Sequence, residues 1–163
     1  WRLHKARYSS FAVVLAMAGL GRSGLAAEHQ PFLHPLEVAD FVPAAGQGIL
    51  AIEALAADRS TRDLLACLDH PASRGALEAE RHVLRALGAG CQSCVAIHVC
   101  PGEGGWVGLA MVARLDGSDT IRLRCLAASA AAVGEDLAAG LLGRGAARLL
   151  TGQAEGRGEG IEV

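Results

Sequence analysis

The chain has 163 residues, of which 52% are hydrophobic and 20% are charged, and its formal net charge is -2. This balance excludes an intrinsically disordered chain, and the mixed signs of charge argue against a nucleic-acid surface, which needs clustered Lys and Arg. The longest apolar run, Phe11 to Leu20, is about half of the ~20 residues that span a bilayer. We therefore expect a globular protein whose partners are small molecules or proteins, with no membrane segment and no nucleic acid.

The first 56 residues predict the end of an α/β domain followed by a connecting segment. Residues 12 to 18 form a continuous apolar run, which indicates a buried strand, and residues 19 to 27 continue with helical spacing. Prolines at positions 31, 35 and 43 indicate the connecting segment. Residues 49 to 55 then predict a second buried strand.

Residues 57 to 150 predict a compact α+β domain, in which helices cover a small antiparallel sheet. The predicted helices cover 58–68, 74–87 and 131–150. The predicted strands, joined by Gly-rich turns, cover 94–99, 106–114 and 120–126. We expect Ser73 to be the N-cap of the second helix and Glu78 and Glu80 to point outward from it. Residues 151 to 163 are polar and Gly-rich, and we expect a mobile tail.

A glycine pattern in the first part favours a nucleotide-binding loop. Residues 19 to 24 read G-x-G-x-x-G between a predicted strand and a predicted helix. The acidic residue that such a loop needs about 20 residues later falls at Glu37 or Asp40, inside the Pro-rich connector. That position counts against the nucleotide interpretation.

A second cluster consists of four soft metal ligands within ten residues: Cys91, Cys94, His98 and Cys100. It supports a non-enzymatic small-molecule or metal-binding α+β module as the alternative function. A structural zinc site usually takes ligands from two separated knuckles, whereas the last three of these residues share the parity of one strand face. That parity favours a role in filling the core, and we expect no metal.

Three further features each allow a functional and a structural interpretation. Cys91 lies among glycines just after a helix, where a thiol is either an attachment point or an ordinary loop residue. Arg2 and Arg22 flank the first strand unit, and arginine there either holds carboxylates or is solvated. Gln47 lies between Gly46 and Gly48, which let the backbone turn sharply and approach a ligand or another domain.

Three motifs in the same order resemble those of the porphobilinogen deaminase (hydroxymethylbilane synthase) family. Residues 18–22 look like its Ala-Gly-Leu-Lys-Arg segment, and residues 42–53 look like its hinge, Leu-Pro-Ala-x-Gly-Gln-Gly-x-x-x-Ile-Glu. Residues 80–92 look like its Glu-Arg helix and Gly-Gly-Cys-Gln loop. The resemblance implies a cytoplasmic, monomeric transferase that condenses four porphobilinogen units into a linear tetrapyrrole with loss of ammonia.

The resemblance also implies a covalent cofactor and the residues that hold it. Family members grow the product on one dipyrromethane, bound through a thioether to the cysteine that corresponds to Cys91. Arg2 and Arg22 match arginines that bind the acetate and propionate groups of cofactor and substrate, and Gln47 belongs to the hinge strand. Porphobilinogen and the growing pyrrole chain are the implied partners.

By the same resemblance, the chain starts inside the second of three domains. Residues 1–56 would be the end of domain two and the hinge strand that returns toward domain one, and residues 57–150 would be the cofactor-attachment domain. The family's catalytic aspartate lies in domain one, so we expect no catalytic residue in these residues, no activity from them alone, and the N-terminal domain as a partner. Three positions depart from the family pattern: Trp1, Ala89 and the pair Ser93-Cys94. Cys94 adds a second thiol that could form a disulfide or receive the cofactor instead.

Overall fold

The computed structural model describes residues 12–90 and 92–151. The chain divides between Glu37 and Val38 into two compact units. Within the described ranges, no helix combines the length and the apolar character that crossing a membrane requires. Arg2, Cys91 and the tail from residue 152 onward lie outside these ranges.

The first unit, as far as it is described, is helical. Helix α1 covers Met17–Arg22, helix α2 covers Leu25–His29, and a 3-10 turn covers Gln30–Phe32. Gly24 joins the two helices with φ 74°, a left-handed conformation that glycine adopts without steric cost.

The strand predicted over residues 12–18 is wrong: residues 12–16 have no regular structure, and α1 begins at Met17. Residues 49–55 likewise form no strand, and Leu50 is 81% exposed. A strand buried in a parallel sheet needs neighbouring strands for its hydrogen bonds and cover on both faces. Among the described residues up to position 94 there is no strand to provide either, so the expected α/β arrangement is not seen there.

The second unit has the predicted α+β architecture. Its helices are α3 (Arg59–Leu65, continued by a 3-10 turn over Ala66–Leu68), α4 (Pro71–Ala86), α5 (Ala130–Gly143) and α6 (Ala146–Leu150). Its strands are β1 (Val95–Gly102), β2 (Gly105–Ala113) and β3 (Thr120–Ala127). They form an antiparallel meander in the order β1-β2-β3, so the three predicted strands are confirmed.

Two helix boundaries differ from the prediction. Helix α4 begins at Pro71, and its N-cap is His70, whose Nδ1 accepts the N–H of Ser73 at 3.2 Å. Proline suits the first helical position because that position needs no intrahelical N–H donor. The predicted last helix is two helices, because Gly145 between α5 and α6 has φ +83°.

The core lies between one face of the sheet and helices α4 and α5. Strand pairing aligns Ile97 with Ala110 and Val99 with Gly108, and these side chains share the core face. Fully buried large side chains from the sheet and helices fill the core: Val83, Ile97, Val112, Val133, Leu137 and Leu141. At about 25 cal/mol per Å2 of buried apolar surface, these contacts are the main stabilising contribution to the second unit.

Candidate functional site

The Gly-Gln-Gly run forms a tight double turn. The N–H of Gln47 donates to the carbonyl oxygen of Ala44 at 3.0 Å, and the N–H of Ile49 donates to that of Gly46 at 3.0 Å. Gly46 has φ +73°, which non-glycine residues rarely adopt. The two turns leave the Gln47 side chain exposed at the bend.

A buried carboxylate holds this double turn on the second unit. Glu80 of α4 is only 3% exposed. Its Oε2 accepts the N–H of Gly46 at 2.7 Å, and its Oε1 accepts the N–H of Val99 in β1 at 2.8 Å. The expectation that Glu80 points outward is therefore wrong. One side chain joins a helix, the edge strand and the Gln47 turn.

Two further hydrogen bonds fix the segment before the turn. The N–H of Ile97 donates to the carbonyl oxygen of Pro43 at 2.9 Å. Nη2 of Arg122, on β3, donates to the carbonyl oxygen of Asp40 at 2.7 Å. Because β1 and β3 are the two edges of the sheet, residues 40 to 43 are held from opposite edges. The N–H groups of β1 that point away from β2 thereby gain acceptors, as an edge strand requires.

A small cavity lies between the double turn, the start of α4 and β1. Its volume is about 250 Å3, and its lining residues include Gln47, His70, His98 and Cys100. Its apolar wall includes Ala76 and Val99. The lining is mostly apolar with a few polar residues, which is the usual character of a small-molecule site.

Hydrogen bonds across the position of Cys91 fix the ends of its loop. Helix α4 ends after Ala86, and Gly88 reverses the chain with φ +62°. The N–H of Gly90 donates to Oγ of Ser93 at 3.0 Å, and the N–H of Ser93 donates to the carbonyl oxygen of Gly90 at 3.0 Å. Ser93, which departs from the family pattern, thus closes the loop with its own hydroxyl group.

Arg22 lies in the first unit, at the end of α1, and its side chain is exposed. Among the described residues it forms no ion pair. Gln47 belongs to the second unit, so the two described candidates come from different units. An exposed guanidinium without an acidic partner retains all its donors for carboxylates.

The proposed metal ligands lie on the side of β1 away from the core. His98 and Cys100 alternate with the core residues Ile97 and Val99 along β1, and both are half-buried. The interpretation of these two residues as core-filling is therefore wrong. Within the described ranges, no group of three or more His, Cys, Asp or Glu side chains could hold a metal ion. Cys91, the fourth member of the set, lies outside those ranges.

Two other cysteines occupy different environments. Cys125 of β3 is half-buried against the core, and its Sγ lies 3.7 Å from the carbonyl oxygen of Val133. Burial raises the pKa of the Cys125 thiol, and the negative charge of Asp136 raises that pKa further. Cys67, in the 3-10 turn after α3, is exposed.

Glu80 is the residue of this site that sequence reasoning missed. Its helical position falls between Ala76 and Val83, both buried, at spacings of four and three residues. An acidic residue within an apolar stripe is the signal that identifies it. Residues on such a stripe are buried whatever their polarity, and a buried carboxylate needs hydrogen-bond donors.

Each unit separately offers described groups whose chemistry suits a molecule that carries acetate and propionate groups. Arg22 offers an exposed guanidinium for carboxylates, and Gln47 offers an exposed amide that both donates and accepts. Gly90 and Ser93 fix the two ends of the loop that contains Cys91.

Comparison with known proteins gives matches along almost the whole chain. The family model described as "Porphobilinogen deaminase, dipyromethane cofactor binding domain" matches residues 1–63. Three relatives carry the name porphobilinogen deaminase. The protein of Syntrophobacter fumaroxidans is 40% identical over 152 residues, which are 91% of this chain and 48% of the relative. That of Nitratidesulfovibrio vulgaris is 42% identical over 153 residues, 91% of this chain and 48% of the relative. That of Moorella thermoacetica is 38% identical over 143 residues, 85% of this chain and 44% of the relative.

The chain thus spans about half the length of the curated relatives that it matches. The matched family model covers Arg2, Arg22 and Gln47, and its description names the dipyrromethane cofactor. The relatives extend the similarity beyond residue 63, because their matches cover about nine tenths of the chain. Over about nine tenths of its length, the chain is similar to part of a porphobilinogen deaminase.

Proposed function

We propose that the chain is part of a hydroxymethylbilane synthase, a transferase that condenses four porphobilinogen units head to tail and releases ammonia. The observation that carries this proposal is the 40% identity to a porphobilinogen deaminase over 91% of the chain. Because the chain spans about half of that relative, the condensation is proposed for the whole protein and not for these residues alone. We propose that it works as a monomer in the cytoplasm.

Cys91 is the proposed attachment point of one dipyrromethane per chain. When bound, this group supplies the electron-rich terminal pyrrole on which the product grows. The hydrogen bonds between Gly90 and Ser93 support the assignment, because they anchor both ends of the loop. A thiol in a loop with both ends fixed keeps its attached group within a short distance of the loop. Repeated addition of porphobilinogen units at one active site requires this restriction.

Arg22 and Arg2 are the proposed carboxylate-binding residues. Arg22 is exposed, and its guanidinium presents a planar set of donors that match a carboxylate in a two-point contact. Each such contact orients the acetate or propionate groups of cofactor and substrate. Both arginines fall within residues 1–63, the part that matches the cofactor-binding family model.

Gln47 is the proposed neutral member of the site. Its amide can donate to a carboxylate and accept from a pyrrole N–H, so it can hold a ring that carries both groups. The double turn and its bond to Glu80 keep this side chain at the rim of the cavity.

We propose that residues 1–56 are the end of the second domain and the hinge, and that residues 57–150 are the cofactor-attachment domain. The exposed apolar side chains of residues 49–55, such as Leu50 and Leu55, support this proposal. Exposed apolar side chains that lie together indicate a surface that packs against another part of the protein. The N-terminal domain of the whole protein is then the proposed partner of these residues.

Peptide mapping by mass spectrometry tests the proposed function. The protein is expressed in its native host as the wild type and as the matched variants C91S and C94S. We expect a two-pyrrole adduct on the peptide that contains Cys91 in the wild type and in C94S, and none in C91S. An adduct that persists in C91S and disappears in C94S would assign the attachment to Cys94. An unmodified wild-type protein that does not convert porphobilinogen would refute the function itself.

A further inference from the structure

We propose that Glu80 is a positioning residue that acts through Gln47: its carboxylate fixes the double turn that presents Gln47 to the cavity. This inference rests on the proposed function only for the role of Gln47 toward pyrrole ligands. The link between Glu80 and the turn stands on the hydrogen bonds alone.

The carboxylate has the environment of a dedicated hydrogen-bond acceptor. It is 3% exposed, and within the described ranges no cation forms an ion pair with it. Its two oxygens accept from backbone donors at 2.7 Å and 2.8 Å, distances typical of charge-assisted hydrogen bonds. Burying a carboxylate is costly unless both oxygens are satisfied, so these two bonds decide where the side chain lies.

The two donors are far apart in sequence, which makes the carboxylate a bridge. Gly46 lies 34 residues before Glu80, and Val99 lies 19 residues after it. Val99 is 2% exposed, so its N–H has no access to bulk water if the carboxylate is withdrawn. Removing the acceptor therefore affects the edge of β1 and the turn together.

The same bridge sets the shape of the cavity. Gly46 and Gln47 form one wall, and His98 and Val99 of β1 form another, while Glu80 lines the space between them. The carboxylate fixes the separation of the two walls because it bonds to one backbone group on each. A change at Glu80 is expected to move Gln47 relative to His98 without changing either side chain.

An apolar residue at position 80 would leave the N–H groups of Gly46 and Val99 without their acceptor, which is destabilising. A carboxylate at this position is therefore explained by the geometry it imposes on Gly46 and Val99. Leucine or methionine at position 80 would fill the volume and would leave the turn without its anchor.

The first experiment measures backbone amide exchange by NMR in the 163-residue chain. E80Q keeps the size of the side chain but replaces one acceptor oxygen with an NH2 group that faces a donor. E78Q is the matched control, since Glu78 lies on the same helix and is exposed. We expect exchange at Gly46, Val99 or both to become at least about tenfold faster in E80Q, while the β2-β3 amides keep their protection. E78Q should leave every amide unchanged.

If E80Q does not fold, E80D gives the same information, because its shorter side chain cannot reach both donors. Unchanged exchange at both Gly46 and Val99 in the folded variant would overturn the proposal. A uniform increase across the sheet would also overturn it, since that result indicates a general structural role.

The second experiment tests action through Gln47 in the whole enzyme. A double-mutant cycle compares wild type, E80Q, Q47A and the double variant in the conversion of porphobilinogen. We expect E80Q to raise KM several-fold with a smaller effect on kcat, and to add nothing in the Q47A background. Equal effects of E80Q in both backgrounds would refute positioning through Gln47. If the wild-type protein converts no porphobilinogen, the proposed function fails, and the amide-exchange experiment still decides whether Glu80 holds the turn.

Discussion

Gly108 of β2 lies so close to Leu137 of α5 that a Cβ atom at position 108 would be 2.8 Å from Leu137 Cδ1. Val133 lies against the same position, so two fully buried side chains occupy the space. The contact also lies on the core face, where Gly108 pairs with Val99 of β1. Helix α5 can therefore approach the sheet closely only because position 108 has no side chain.

The variant G108A is expected to lower the free energy of unfolding by about 1–3 kcal/mol, because an added methyl group overpacks a filled core. Urea unfolding followed by circular dichroism measures the change. G143A is the matched control, since nothing lies within 4 Å of a Cβ at the end of α5. Equal stability of G108A and G143A would contradict the close packing of α5 on β2.

A second prediction concerns the two glycines that flank Gln47. Gly46 has φ +73°, and a Cβ there would lie 3.1 Å from Leu77 Cδ1, whereas Gly48 has a negative or extended φ and open space. G46A is expected to cost about 1–2 kcal/mol of stability, the price of a left-handed conformation for an L-residue. G48A is expected to cost nothing measurable. Thermal unfolding of the two variants side by side measures the difference, and a larger loss in G48A would refute the described turn.

The sequence pattern is sufficient to predict the three-stranded meander. It is not sufficient to predict the structure of the residues before β1. Strands β1 to β3 alternate between core and outer positions and are separated by turn residues, so period and turn chemistry agree. Residues 12–18 and 49–55 are equally apolar, but apolar runs become strands only when neighbouring strands pair with them. The periodicity of apolar residues indicates which side chains favour burial. It does not indicate whether a neighbouring strand is present to pair with them.

The candidate site shows the same limit at single residues. The flanking glycines identify Gln47 from the sequence, because they indicate a backbone conformation that other residues rarely adopt. Glu80 was assigned to the solvent side from its charge, although its helical position places it on the buried stripe with Ala76 and Val83. Its donors, Gly46 and Val99, are distant in sequence, and only the folded chain brings them to one carboxylate.

A third prediction follows from the raised pKa of Cys125. Burial, and to a smaller degree the charge of Asp136, favour the protonated thiol in the folded state. The folded state therefore keeps a proton that the unfolded state releases near the ordinary thiol pKa of about 8.5. Stability from this group is complete below that pH and is lost as pH rises through the folded pKa.

We expect the free energy of unfolding to fall between about pH 8.5 and pH 10 in the wild type and to fall less in C125A. Alkylation by iodoacetamide at pH 8 gives an independent check, because the exposed Cys67 should react faster than Cys125. Peptide mapping of the alkylated protein distinguishes the two sites. Faster labelling of Cys125 than of Cys67 in the folded protein would contradict the described burial.

A fourth prediction concerns the N-cap of α3. Asp58 accepts the N–H of Thr61 at 3.0 Å and the hydroxyl group of Thr61 at 2.7 Å. The backbone bond is the largest of the effects that lower the pKa of Asp58, and hydrogen bonds from the side chains of Thr61 and Ser60 lower it further. The carboxylate form is therefore favoured by folding. Its contribution to stability is present above the unfolded pKa of about 3.9 and is lost as pH falls through the lower, folded value.

Asparagine caps helices about as well as aspartate but does not titrate, so D58N separates the cap from its charge. We expect D58N to match the wild type near pH 6 within a small margin and to lose less stability between about pH 4 and pH 2. D63N is the matched control, because it removes a carboxylate from the same helix at a position that is not its N-cap. Urea unfolding at each pH measures the three proteins. If D63N flattens the acid dependence as much as D58N does, the acid sensitivity reflects total charge, and the cap is not its source.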